Sequence, residues 1–116
     1  VVDDREDVLE VVAQSLTAFG YQALSAGSGE AALDILKDLA RPIDMLITDV
    51  DMPRISGIEL SKQAVALRPS LKVLYMSGHA GDPDHRELFR SNAAQFLQKP
   101  FTPQVLAARL AELMTS

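Results

Sequence analysis

The sequence predicts a three-layer α/β domain, a parallel sheet with helices on both faces. Short apolar runs alternate with stretches of helical periodicity, five times along the chain. The strand candidates are apolar runs of the kind that parallel strands show when both faces are covered. The length, 116 residues, suits one domain with a single core and is too short for two. Residues 1–116 are accordingly expected to form one domain.

Val1-Val2 followed by Asp3-Asp4 reads as the end of a first strand whose beginning is missing. From Glu6 to Phe19, Val8, Leu9, Val12, Leu16 and Phe19 recur at helical spacing, and Gly20 stops the pattern. Tyr21 to Leu24 is a short strand candidate. Ser28 caps a second helix with Ala32, Leu33, Leu36 and Leu39 on one face. The run Ile43 to Thr48 is the third strand. Ser56 and Glu59 form a capping box that starts a third helix running to about Leu67. Leu71 to Met76 is the fourth strand and Ala94 to Leu97 the fifth. Asp82-Pro83 and Thr102-Pro103 each pair a capping residue with proline in the first turn, starting the fourth and fifth helices. Leu106, Leu110 and Leu113 mark the inner face of the last one.

The composition is that of an ordinary globular chain, 47% apolar and 23% charged. The absence of cysteine excludes disulfides and thiolate metal sites and fits a reducing, cytoplasmic setting. Net charge is −5 with the eleven basic residues scattered, so this segment is not expected to bind nucleic acid. No apolar run approaches the ~20 residues of a membrane span, and no membrane contact is expected.

In parallel sheets, ligands bind beyond the carboxyl ends of the strands. The first strand ends in Asp3 and Asp4, the third in Asp49, the fourth in Ser77, and the fifth in Lys99 followed by Pro100. Each has an ordinary reading: helix caps, a turn residue, a surface lysine. Their arrival at successive strand ends is what argues for a site. Two carboxylates ~4 Å apart repel by about 4 kcal/mol at an effective dielectric near 20, so three crowded together call for a cation or extra protons. Oxygen-only ligands suit a hard ion such as Mg²⁺, which keeps waters and accepts a phosphate oxygen. Phosphoryl chemistry follows: Mg²⁺ and the Lys99 ammonium stabilise charge on the transferring group, Ser77 donates to it, and a carboxylate on the rim serves as the nucleophile.

Along its whole length the chain resembles the receiver domain of bacterial two-component response regulators. VVDD, LITDVDMPRISG, VLYMSG and AQFLQKPF match that family's acidic pair, acceptor loop, hydroxyl turn and lysine-proline turn. The resemblance implies a flavodoxin-like, five-stranded parallel sheet in the order 2-1-3-4-5. It also implies that Asp49 is the phosphoacceptor, with Mg²⁺ held by Asp4, Asp49 and the backbone carbonyl of Asp51, and by Asp3 through water. Ser77 hydrogen-bonds the phosphoryl group, Lys99 pairs with it, and the Lys99-Pro100 peptide is cis. Ser77 and Phe96 form the switch, remodelling the face made by the fourth helix, fifth strand and fifth helix, through which a phosphorylation-dependent dimer forms. Asp51 and His79 flank the site and tune the phosphoryl lifetime. As a plain core aromatic, Phe96 needs no switching role. Asn92 stands where a glycine commonly precedes the fifth strand, and Gly78 replaces a frequent alanine.

The implied partner is a histidine kinase or a histidine phosphotransfer domain. VLYMSGHAGD and FLQKPFTPQVLAARLAELM look most like receivers fused to hybrid sensor histidine kinases, with the receiver of a transcription regulator as the alternative. A haloacid dehalogenase-type Mg²⁺-dependent phosphatase also uses an apolar strand ending in Asp-x-Asp. There, however, the acidic pair comes last in the chain, whereas Asp3-Asp4 come first. A receiver that no longer takes phosphate is expected to have lost an acid, the acceptor or the lysine, and all are present.

Overall fold

The computed structural model describes residues 1–78 and 95–115. The fourth helix expected from Asp82, together with His79, Asn92 and the expected strand start at Ala94, lies outside the described residues.

Helix α1 spans Glu6–Ala18. It closes on Gly20, whose φ of 89° only glycine adopts without strain. The N–H of Gly20 donates to Thr17 O and that of Tyr21 to Leu16 O, both at 3.0 Å, which satisfies carbonyls the last turn would leave orphaned. Helix α2 covers Gly29–Lys37 and begins where Ser28 Oγ accepts from Ala31 N–H at 3.1 Å. Helix α3 covers Gly57–Leu67, with Ser56 Oγ accepting from Glu59 N–H at 3.1 Å. The C-terminal helix, Pro103–Thr115, starts with Thr102 Oγ1 accepting from Val105 N–H at 3.2 Å. All three caps were legible in the sequence, and each is worth about 1 kcal/mol.

Strands β1 (Met45–Asp49), β2 (Lys72–Ser77) and β3 (Phe96–Gln98) lie parallel in that order. Val2 bridges Ala26 on one side and Thr48 of β1 on the other, both parallel. Across the sheet the lines therefore run Ala26, Val2, β1, β2, β3, which is the expected order 2-1-3-4-5.

Two expectations need correction. The second strand was expected at Tyr21 to Leu24, but pairing falls on Leu24 to Ala26. The Val1 amine donates to Leu24 O at 2.7 Å, Ala26 N–H to Val1 O at 2.9 Å, and Asp3 N–H to Ala26 O at 3.2 Å. Leu39 was placed on the inner face of the second helix but is 68% exposed. Helix α2 ends two residues earlier because Asp38 leaves helical geometry with ψ 89°. Its last carbonyls are taken by Arg68, whose guanidinium donates to Leu36 O at 3.1 Å and Asp38 O at 2.7 Å.

Side chains alternate across the sheet and build two cores. Leu46, Val50, Val73, Tyr75 and Phe96 pack with Leu33, Leu36, Leu60 and Ala64 of α2 and α3. Ile47, Leu74, Met76 and Leu97 pack with Val12 and Leu16 of α1 and with Leu106, Leu110 and Leu113. The first of these cores holds a buried polar pair, Tyr75 Oη and Ser61 Oγ, 2.6 Å apart. Ser61 spends its own proton on Ile58 O at 2.7 Å, so Tyr75 is the donor. Tyr75→Phe is expected to cost about 1 kcal/mol in urea unfolding, the net worth of one buried hydrogen bond.

Candidate functional site

The sheet brings the predicted strand ends together. Asp49 N–H donates to Val2 O at 2.9 Å, which places the end of the first strand beside the end of β1. The Asp49 carbonyl accepts from Thr48 Oγ1 at 2.9 Å. Asp3 is fully buried: Oδ1 accepts from Arg5 N–H at 2.9 Å and Oδ2 from Lys99 Nζ at 2.9 Å. Lys99 also donates to Asp49 Oδ1 at 3.1 Å, so one ammonium bridges two carboxylates from different strands. Its backbone is set by a bond from Lys99 N–H to Ser77 O at 2.8 Å and by a cis peptide to Pro100.

Asp4 is exposed, yet it offers an oxygen to the same cluster. One oxygen each from Asp3, Asp4 and Asp49 lie within 4.8 Å of one another. The Asp51 side chain is exposed and is not in that group. Ser77 is buried at the end of β2, one residue past Met76, the register partner of Asp49. Phe96 is buried and stacks on Tyr75, with ring centroids 4.8 Å apart and planes at 28°. Arg109 of the C-terminal helix donates to Phe96 O at 2.8 Å.

Burial pushes the Asp49 carboxyl above its ordinary value; Lys99 opposes this, while Asp3 and Asp4 add to it. For Lys99, burial alone acts downward, but its bonds to Asp3 and Asp49 and their charges prevail, and its pKa is raised. Three carboxylates therefore gather around one ammonium that bonds two of them, and the rim is short of positive charge. An all-oxygen donor set with that deficit fits a hard divalent cation such as Mg²⁺.

Sequence reasoning missed how the Asp49 backbone is fixed. Gly57 opens α3 against Asp49, and a Cβ there would sit 2.0 Å from Asp49 O. Its N–H meanwhile donates to Val50 O at 2.9 Å. A glycine immediately after a serine cap, where better helix formers are available, was the one available signal. The stacking of Tyr75 on Phe96 carried no signal, since the two residues are far apart in sequence.

The family model for the response regulator receiver domain matches residues 1–111. The sensor kinase CckA of Brucella abortus is 32% identical over 114 residues, which is 98% of this chain and 12% of that protein. The transcriptional regulatory protein YrkP of Bacillus subtilis is 33% identical over 110 residues, 95% of this chain and 46% of that protein. The chain thus spans less than half the length of either relative. The crystal structure of the receiver domain of hybrid histidine kinase CckA superposes with a TM-score of 0.77 at 36% identity, covering 97% of this chain and 94% of that one. The family match takes the place of the haloacid dehalogenase alternative. Among the described residues, no helix is long and apolar enough to cross a membrane.

Proposed function

Because the chain belongs to the response regulator receiver domain family, we propose that Asp49 accepts a phosphoryl group from a phosphohistidine on a kinase or phosphotransfer partner. The observation that carries this reading is the Lys99 bridge between Asp49 and the fully buried Asp3 inside a three-carboxylate cluster.

In the transfer, an Asp49 carboxylate oxygen bonds to phosphorus as the phosphorus–nitrogen bond breaks, and the leaving imidazole takes up a proton. Lys99 fixes the Asp49 carboxylate and stands ready to pair with the phosphoryl oxygens. Ser77, buried beside the acceptor, supplies a hydroxyl donor. Asp4 and Asp49 are the side chains to hold Mg²⁺, with the Asp51 carbonyl completing the set; the ion supplies charge neutralisation on the phosphoryl oxygens. Both Asp3 oxygens already accept hydrogen bonds, which favours a role for Asp3 through water. Asp51, exposed at the rim, and His79 modulate hydrolysis of the aspartyl phosphate. Phe96 and Ser77 form the switch.

The parent protein is a hybrid histidine kinase in this reading, on the strength of the CckA likeness. Similarity to YrkP keeps the receiver of a transcription regulator as the alternative. Incubation with acetyl phosphate and Mg²⁺, read by intact mass, is expected to give one phosphoryl adduct. Asp49→Asn abolishes it and Asp51→Asn retains it. An adduct that survives Asp49→Asn, or none in the wild-type chain, overturns the assignment.

A further inference from the structure

The loop from Asp51 to Ser56 is closed at its base. Val50 N–H donates to Met76 O at 3.0 Å, and Gly57 N–H to Val50 O at 2.9 Å. Within the loop, Ile55 N–H donates to Pro53 O at 2.9 Å, and Arg54 between them has φ 69°. That is a γ-turn of the rare, strained, positive-φ form, and its central residue is not glycine. Among the described residues, Arg54 alone of the non-glycines takes a positive φ. A strained residue of this kind persists only where its surroundings dictate it.

Two contacts reach the turn from α2. Glu30 Oε2 lies 3.7 Å from Arg54 Nη1, but the two side chains are 45% and 81% exposed. A solvated ion pair of that length contributes little. The other contact is apolar. Met52 and Ile55, both half-buried, pack against the core of α2 and α3. Ile55 stands on Gly29, the first residue of α2, which is itself buried. A Cβ on Gly29 would lie 2.8 Å from Ile55 Cβ and 3.1 Å from its Cγ2. The nearer atom is fixed to the backbone, so no rotamer removes the clash and the loop itself would have to move. Gly29 lies within a helix, where alanine is the better helix former. The close approach is thus what calls for glycine.

We propose that Gly29 is a positioning residue for the metal: by seating Ile55, it holds the turn at Arg54 and fixes the backbone that carries the Asp51 carbonyl. This rests on the assignment of Mg²⁺ to Asp4, Asp49 and that carbonyl. Gly57 of α3 presses on Asp49 O at the base of the loop, and Gly29 of α2 supports its far side. Of the three groups assigned to the ion, only the carbonyl travels with the loop. A displaced loop therefore weakens the ion without removing a charge. Mg²⁺ demands near-ideal octahedral geometry, so it is sensitive to such a displacement.

The test follows the thermal midpoint through a Mg²⁺ titration, which gives the affinity by linkage. Gly29→Ala is expected to weaken Mg²⁺ binding by about tenfold or more. Gly27→Ala, whose Cβ meets nothing within 4 Å, is expected to stay within about twofold of wild type. Ile55→Ala removes the foot instead of the seat and is expected to weaken the ion likewise. The double variant is expected to bind no worse than the weaker single one, since both act through one contact. A midpoint lowered equally with and without Mg²⁺, at unchanged affinity, marks a merely structural glycine and overturns the proposal. Additive losses in the double variant overturn it too. Asp4→Asn reads the metal assignment separately. If wild type gains no midpoint from Mg²⁺, or Asp4→Asn keeps the gain, that assignment fails and the proposal with it. A gain lost in Asp4→Asn but undiminished in Gly29→Ala and Ile55→Ala sinks the proposal alone.

Discussion

Gly57→Ala is expected to destabilise the domain by about 3 kcal/mol or more and to abolish phosphoryl labelling at Asp49. Local propensity points the other way: alanine replacing glycine in a helix gains roughly 0.5–1 kcal/mol. The contact decides the sign. The added Cβ would lie 2.0 Å from Asp49 O, 2.9 Å from Asp49 C and 3.0 Å from the Val50 Cα. All three are backbone atoms, so no flexible side chain can swing aside. Either α3 lifts off the sheet or the Asp49 peptide moves, and both displace the proposed phosphoacceptor. Gly78→Ala is the matched control, since a Cβ there meets nothing within 4 Å; it is expected to stay within about 0.5 kcal/mol of wild type. Urea unfolding of both variants checks the comparison, and a Gly57→Ala protein as stable as wild type would refute the close-contact account.

The second large effect is expected for Lys99→Met, about 3 kcal/mol at neutral pH, because breaking a buried pair strands the remaining charges. Asp3 is wholly buried and Asp49 nearly so, and the variant leaves both without their ammonium. The loss depends on pH with a defined sign. Burial already raises the Asp49 pKa, and removing the opposing Lys99 raises it further. A carboxyl whose folded pKa exceeds its unfolded value favours folding at low pH, and that advantage fades as pH rises through the folded value. Stability of Lys99→Met therefore falls from about pH 4 towards neutrality, more steeply than that of wild type. In wild type, the raised Lys99 pKa contributes stability below 10.5 that disappears at higher pH as the ammonium deprotonates. Unfolding at pH 5 and 7.5, with and without Mg²⁺, tests this: the ion should restore more stability to the variant. Equal stability of the two proteins at both pH values would sink the prediction.

What could be read from the sequence was whatever depends on neighbours along the chain. The caps at Ser28, Ser56 and Thr102 were legible because a cap and its first turn are adjacent in sequence. The acids and the lysine were legible because strands end where apolar runs end. Pairing register was not, since it depends on which residues of another strand are opposite; that is why the edge ladder fell on Leu24 to Ala26. Leu39 was misplaced for a related reason, because the last carbonyls of α2 are taken by Arg68, about thirty residues away. Within the site, residue types and their convergence were visible. The two bonds that occupy Asp3 and the pressure of Gly57 on Asp49 were not, because both arise only when separate elements dock.

If Phe96 serves in the proposed switch, its setting bears on how a signal leaves the site. Its carbonyl is held by Arg109 while its ring lies against Tyr75. Backbone and side chain are thus moored to different parts of the protein, one to the C-terminal helix and one to the core of α2 and α3. A ring that turns on a moored backbone transmits volume, not strand movement. The outer surface would then register phosphorylation as a hollow filled or vacated, and a partner would read it through shape.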